Sequence, residues 1–294
     1  MRTLVPVYRP RASALHSARA GVAALYCAAL ALVVALYEHP LVLAALIAAV
    51  AGAGTACGVG AEIARAARLS LPLALLVAAI NPLVYSGGDT LLVRGGEFLG
   101  RRWDITLEAT VAGGINGIRI VALILVFGLF SAAVDPDELL KLFRRISYRS
   151  ALTASLATRL VPVLARDAGR MGDAARCRPH PPGRFAVARA AVAGALDRAV
   201  DVAAALEVRG YSAVGRPRHA PAPWSRHDLR LAAAAGALGA AAVAARVAGA
   251  GGFELYPLLD IPVAGLDLAV GAATLGLALL PLVGRAARLG VAHG

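Results

Sequence analysis

Lysine is nearly missing from this chain: of its 30 basic residues, only Lys141 is not an arginine. A phosphate cradle of the GxxxxGK[ST] type needs a lysine after a glycine, and Lys141 follows Leu139-Leu140, so that nucleotide site is excluded. Cysteine is scarce as well. Cys27, Cys57 and Cys177 stand far apart, with no CxxC or Cys/His ligand spacing, which indicates neither a disulfide framework nor a zinc site. Histidines His39, His180, His219 and His227 lack a motif-spaced carboxylate or second ligand, read as solvated loop residues, and receive no chemistry. A net charge of +12 would suit nucleic acid. No recognised nucleic-acid motif accompanies it, so no nucleic-acid partner is expected, nor any cofactor or bound metal.

What is abundant is apolar surface. The chain is 59% hydrophobic, with a mean hydropathy of +0.69, far above soluble domains, so its main solvent is lipid. Runs of about 20 apolar residues, the length that crosses hydrocarbon, occur six times. They are Ala20–Tyr37, Leu41–Gly60, Leu69–Ser86, Leu107–Val134, Leu229–Ala248 and Val263–Gly284. The first follows a basic stretch and superficially resembles a signal peptide; a second span follows after Glu38-His39-Pro40, so it reads as retained.

Charge then orients the spans. Arg2, Arg9, Arg11 and Arg19 precede the first, Arg65 and Arg68 lie between the second and third, and Arg285 and Arg288 follow the sixth. An even number of spans puts all of these, and the segment Asp135–Arg230, on one side, predicted cytoplasmic, with both termini there and the protein in the cell membrane. The loop Gly87–Thr106 falls outside and is neutral, Arg94, Arg101 and Arg102 being balanced by Asp89, Glu97 and Asp104. Arg119 sits near the middle of the fourth run, where an arginine costs about 2.5–3.5 kcal/mol. Its expected partner is another protein or the bundle interior, or else Asn116, Asp267 or a backbone carbonyl; Asn81 is a second candidate for an intramembrane polar contact.

The chain accordingly divides into residues 1–134 (spans one to four with a basic N-terminus), 135–228 (a cytoplasmic region) and 229–294 (spans five and six with a basic C-terminus). Asp135–Arg230 holds 17 basic and 9 acidic residues, a balance of +8. Asp135-Pro136-Asp137-Glu138 marks a helix start ahead of Leu139, Leu140, Leu142, Phe143 and Ile146. From Ser150 to about Arg178, Leu152, Leu156, Leu160, Val163 and Leu164 recur at helical spacing, with a kink or boundary expected near Pro162. Arg178-Pro179-His180-Pro181-Pro182-Gly183 stops that helix. A third helix, Arg184 to Arg209, carries Val187, Val192, Leu196, Val200, Ala203 and Leu206 as one stripe, and Gly210 is its natural stop. Gly215–Pro223 is a loop. Both long helices thus end in an arginine followed by a small residue, where the helix dipole favours a cation and the guanidinium offers a rigid five-donor fork.

Ala79-Ile80-Asn81-Pro82-Leu83 with Gly88-Asp89-Thr90, the Asp135–Leu140 helix start, Arg159-Leu160-Val161-Pro162 and Ala205-Leu206-Glu207-Val208-Arg209-Gly210-Tyr211 resemble one family. It is the transmembrane T component of energy-coupling-factor ABC transporters, which includes cobalt-transport permeases and the biotin-transporter permease. The resemblance covers about Ala20 to Pro217. It implies an all-α polytopic membrane bundle with amphipathic cytoplasmic coupling helices, each ending in an Ala-Arg-Gly-like signature whose arginine docks on one of two ATPase subunits. Val208-Arg209-Gly210 matches the second signature with Val208 in place of alanine. Ala175-Arg176-Cys177 matches the first with Cys177 in place of glycine, and Arg178 stands beside it. The implied function is non-catalytic: the chain bridges a small substrate-binding membrane subunit and two ATPases in an importer of vitamins or transition-metal ions. Two other readings stand beside it, a stand-alone transporter binding its own solute near Asn81-Pro82, Gly113-Gly114 and Arg119, and a membrane enzyme acting on lipid.

Overall fold

Backbone groups in hydrocarbon must be paired within their own segment, so apolar runs of this length fold as helices. The computed structural model describes residues 8, 10–11, 13–84, 90–93, 97–98, 101–102, 105–143, 148–180, 182–210, 224–251 and 265–282. Gly88-Asp89, Tyr211, the loop Gly215–Pro223 with His219, and the basic flank Arg285 and Arg288 lie outside the described residues. Ten helices are present among those described: α1 (Ala14–Ser17), α2 (Ala20–Leu36), α3 (Pro40–Ala56), α4 (Gly60–Val84), α5 (Leu107–Ala133), α6 (Pro136–Phe143), α7 (Tyr148–Arg176), α8 (Arg184–Val208), α9 (Arg226–Val247) and α10 (Gly265–Leu279). Two short antiparallel ladders join α4 to α5. β1 (Leu91–Val93) pairs with β4 (Ile105–Thr106), and β2 (Glu97–Phe98) with β3 (Arg101–Arg102).

The chain forms two compact units, Met1–Leu139 with Trp224–Gly294, and Leu140–Pro223. The first holds all six apolar helices. Of these, α4, α5 and α9 are long and apolar enough to cross a membrane, while α2, α3 and α10 are shorter apolar helices. They form a ring in the order α5, α2, α9, α10, α3, α4, and α3 also touches α5. The core between them is aliphatic, with Leu30, Val33, Leu43, Leu46, Leu129, Leu231 and Leu238 buried. Two tyrosines are buried with them, and each places its hydroxyl on a helix carbonyl: Tyr26 donates to Ala278 O at 2.9 Å and Tyr37 to Ala242 O at 2.7 Å. In the outward direction, α4 exposes Leu69, Leu71, Leu73, Leu75 and Leu76, a surface suited to lipid.

The third span starts earlier than its apolar run. Gly58, at φ +70°, ends the α3 turn, and α4 begins at Gly60, so Arg65 and Arg68 sit within its first turns rather than in a loop. Glu62 in the same turns accepts Arg11 Nη2 at 2.6 Å, and Arg11 also donates to Gly58 O.

α4 and α5 pack most closely. Gly113-xxx-Gly117 on α5 faces Ala74-xxx-Ala78 on α4, and these small residues let the backbones approach. A Cβ at Gly113 would stand 2.6 Å from Ala78 O, and one at Gly117 3.0 Å from Ala74 O. A backbone oxygen inside a helix cannot swing away. Gly113→Ala is therefore expected to destabilise the protein by about 1–3 kcal/mol, the usual range for overpacking. Gly114→Ala, whose Cβ meets open space, is expected to be neutral or to stabilise by up to about 1 kcal/mol through helix propensity. Thermal unfolding of the two variants in detergent separates these outcomes.

Candidate functional site

The inserted unit is built from α7 and α8, and α6 leads into it. Asp135 accepts the Asp137 N–H at 2.9 Å, so the acidic helix start caps itself. α7 continues through Pro162 from Tyr148 to Arg176, so no helix boundary falls there. The neighbouring hydroxyls of Ser155 and Thr158 bond carbonyls three residues back, and Arg166 Nε donates to Pro162 O at 3.3 Å. Leu152, Leu156, Leu160, Val163 and Leu164 share the half-buried side of α7. Gly183 precedes α8, and α8 closes on Arg209 and Gly210. Gly210 sits at φ +72°, with its N–H 2.8 Å from Glu207 O, the left-handed stop that glycine permits.

α7 and α8 run antiparallel. Asp167 on α7 accepts Arg198 Nη1 of α8 at 2.7 Å and is also paired with Arg170 at 2.5 Å. One turn on, Met171 Cε lies 3.7 Å from the position of a Cβ on Gly194. The expected single stripe on α8 divides between two faces. Val187, Ala191, Gly194, Arg198, Val202 and Leu206 form the half-buried side, whereas Val192, Leu196, Val200 and Ala203 are exposed on the other, together with Phe185 at 92%. The reason is the helical period: positions 187 and 192 differ by five residues, about 140° of rotation, too far apart to share one face.

Ala175-Arg176-Cys177 lies at the end of α7 beside the turn. Ala175 is buried; the Arg176 side chain is 80% exposed and loosely paired with Asp173 at 3.5 Å; Cys177 and Arg178 are exposed. Val208-Arg209-Gly210 lies at the far end of α8, with Val208 and Arg209 exposed. The structure does not bring the two signatures together: α8 spans 25 residues, about 37 Å. What each end offers chemically is a guanidinium fork in water beside a helix C-terminus, a receptor for carboxylates. No group of three or more His, Cys, Asp or Glu converges as a metal site among the described residues.

Arg119 and Asn81 belong to the other unit. Arg119 donates to Val34 O at 3.1 Å and Ala35 O at 2.8 Å and pairs with Glu38 at 2.9 Å, so it caps the C-terminus of α2. Neither Asn116 nor Asp267 is its partner in these bonds. Asp267 instead accepts the Gly251 N–H at 2.8 Å. Central in α5, Arg119 is level with the end of α2, because α5 begins about three turns before α2 ends. Asn81 lies against Gly113 in the α4–α5 contact, its Cβ 3.1 Å from a Cβ built there.

Two histidines are not solvated. His39 is buried and caps α3, its Nδ1 accepting the Leu41 N–H at 3.3 Å. His227 Nε2 donates to Ala14 O at 2.6 Å. His227 belongs to a clasp that the sequence reading missed. His16 Nε2 donates to Ala132 O at 3.2 Å; the Arg19 N–H donates to Asp228 at 3.0 Å; and the Arg19 guanidinium stands 5.2 Å from the Trp224 ring. The N-terminal segment therefore joins the end of α5 to the start of α9. The Ser225-x-x-Asp228 capping box was the signal available in the sequence.

The hydrogen bonds from Arg198 and Arg170 hold the Asp167 carboxyl below its usual range. A lowered carboxylate pKa stabilises the fold above the unfolded value of about 3.9, and that contribution is lost as pH falls through the folded value. Amide protection in α7 and α8, corrected for intrinsic exchange, is expected to fall as pH drops below about 4. In Asp167→Asn it should already be weaker at pH 7 and lack that dependence.

A search among curated proteins returned no match. A family model described as CbiQ, cobalt transport protein, matches residues 11–220, a stretch that runs from Arg11 through four apolar helices and both arginine-ended helices. The chain belongs to the CbiQ cobalt transport protein family, the multi-pass transmembrane T components of energy-coupling-factor transport systems.

Proposed function

We propose that this chain transmits the conformational cycle of two ATP-hydrolysing subunits to a small membrane subunit that captures the solute, a transition-metal ion or a vitamin. The observation that carries this reading is the pair of exposed arginines, Arg176 and Arg209, ending two antiparallel helices and separated by the length of α8. A spacing of about 37 Å suits one contact on each of two partners rather than two contacts on one. The chain has no phosphate cradle of its own, so its energy must come from partners. Closure of two ATPases gripping the ends of a rigid helix pair would move that pair as a body.

Orientation follows from charge. Arg11, Arg19, Arg65 and Arg68 share the end of the bundle where α5 finishes and α9 starts, whereas Arg119 and Arg246 lie at the other. The positive-inside rule supports the first end, and with it both termini, as cytoplasmic.

Double replacement of Arg176 and Arg209 by alanine is expected to abolish both ATPase co-purification and solute uptake, while the chain still enters the membrane. Uptake at the unmodified level would contradict the proposal.

A further inference from the structure

An open cavity of about 310 Å³ lies at the α7–α8 turn, lined by Met171, Ala174, Ala175, Val187 and Ala190, with Arg178 at its edge. Its origin is in the sequence. The helices touch where Asp167 meets Arg198 and Met171 meets Gly194. Between that contact and the turn, most facing positions are alanines, and the volume a larger residue would fill stays empty. Ala174 and Ala190 are exposed, so the opening faces outward rather than into a core.

We propose that this cavity is the socket for a large apolar side chain, such as Leu, Met or Phe, carried on an acidic helix of an ATP-hydrolysing partner subunit. The proposal rests on the coupling reading above and adds to it a second contact beside Arg176. Charge selects the occupant. Arg178 lines the opening, Arg170 and Arg176 are exposed on the same stretch of α7, and the nearby carboxylates are already engaged, Asp173 by Arg176 and Asp167 by Arg170 and Arg198. A second copy of this chain would bring the same positive rim against it. A free anion would satisfy the arginines and leave the apolar floor wet. An acidic helix with one large apolar residue satisfies both, with guanidinium–carboxylate pairs at the rim and a desolvated anchor at the centre, the usual layout of an interface hot spot.

The test uses the full transporter, co-expressed and purified in mild detergent. Ala174→Phe and Ala190→Phe each put an aromatic ring into the cavity from an exposed position, leaving the Asp167–Arg198 contact in place. Retained ATPase is expected to fall about ten-fold or more, with the unfolding midpoint of this chain and its recovery with the small membrane subunit unchanged. ATPase retained at the unmodified level in both variants would overturn the socket. If Arg176→Ala/Arg209→Ala loses ATPase while the filled variants keep it, only the socket falls; if that double variant also keeps it, the coupling reading falls too. Should the filled chains fail to fold, Ala190→Cys in a Cys177→Ser background that still retains ATPase gives a separate readout. Cross-linking from position 190 to an ATPase subunit supports the socket; a product with a second copy or with lipid alone, or no product, overturns it.

Discussion

Side-chain bonds at one end of the six-helix bundle tie its helices to the N-terminal segment, and the bundle's order at that end depends on them. The apolar helices alternate in direction, so the chain leaves the bundle after α5 and re-enters at α9 on the same end. There the segment from Arg11 to Arg19 reaches three elements in turn: the α3–α4 turn through Gly58 and Glu62, the last turn of α5 through Ala132, and the first turn of α9 through Asp228. Most of these contacts join a charged or imidazole side chain to a backbone group, and such bonds tolerate little sliding.

The bundle itself obeys a second constraint, close packing where hydrophobicity cannot distinguish lipid from protein. α4 and α5 meet through Gly113 and Gly117 against Ala74 and Ala78, and the leucines of α4 point elsewhere. Arg119 fits the same economy. By reaching the carbonyls of Val34 and Ala35 and the carboxylate of Glu38, it satisfies the end of a short helix and places its charge at that level.

Much of this was legible in the residues. Each of the six apolar runs contains a helix among the described residues, and the helix stop at Gly210 follows from glycine's freedom at positive φ. Other features were hidden because they depend on tertiary distance. Nothing local marks His39 as buried, and the partner of His227, the Ala14 carbonyl, lies 213 residues away. α7 passing through Pro162 and the early start of α4 show that tertiary packing can carry a helix across residues that disfavour it or lie outside the apolar run. The α8 stripe failed for a simpler reason: residues spaced five apart were grouped on one face, whereas the helix turns 100° per residue. The arginine ends were visible at once, but the distance between them, which suits two partners, required the antiparallel hairpin.

The most direct measurement of the central claim is the composition of a doubly cross-linked product. With Arg176 and Arg209 left in place, and with the exposed Cys177 beside the first and Val208→Cys beside the second, short cross-linking in the assembled transporter should yield one copy of this chain joined to two ATPase subunits. A product in which both positions join a single ATPase subunit, or in which neither joins any, would contradict the account.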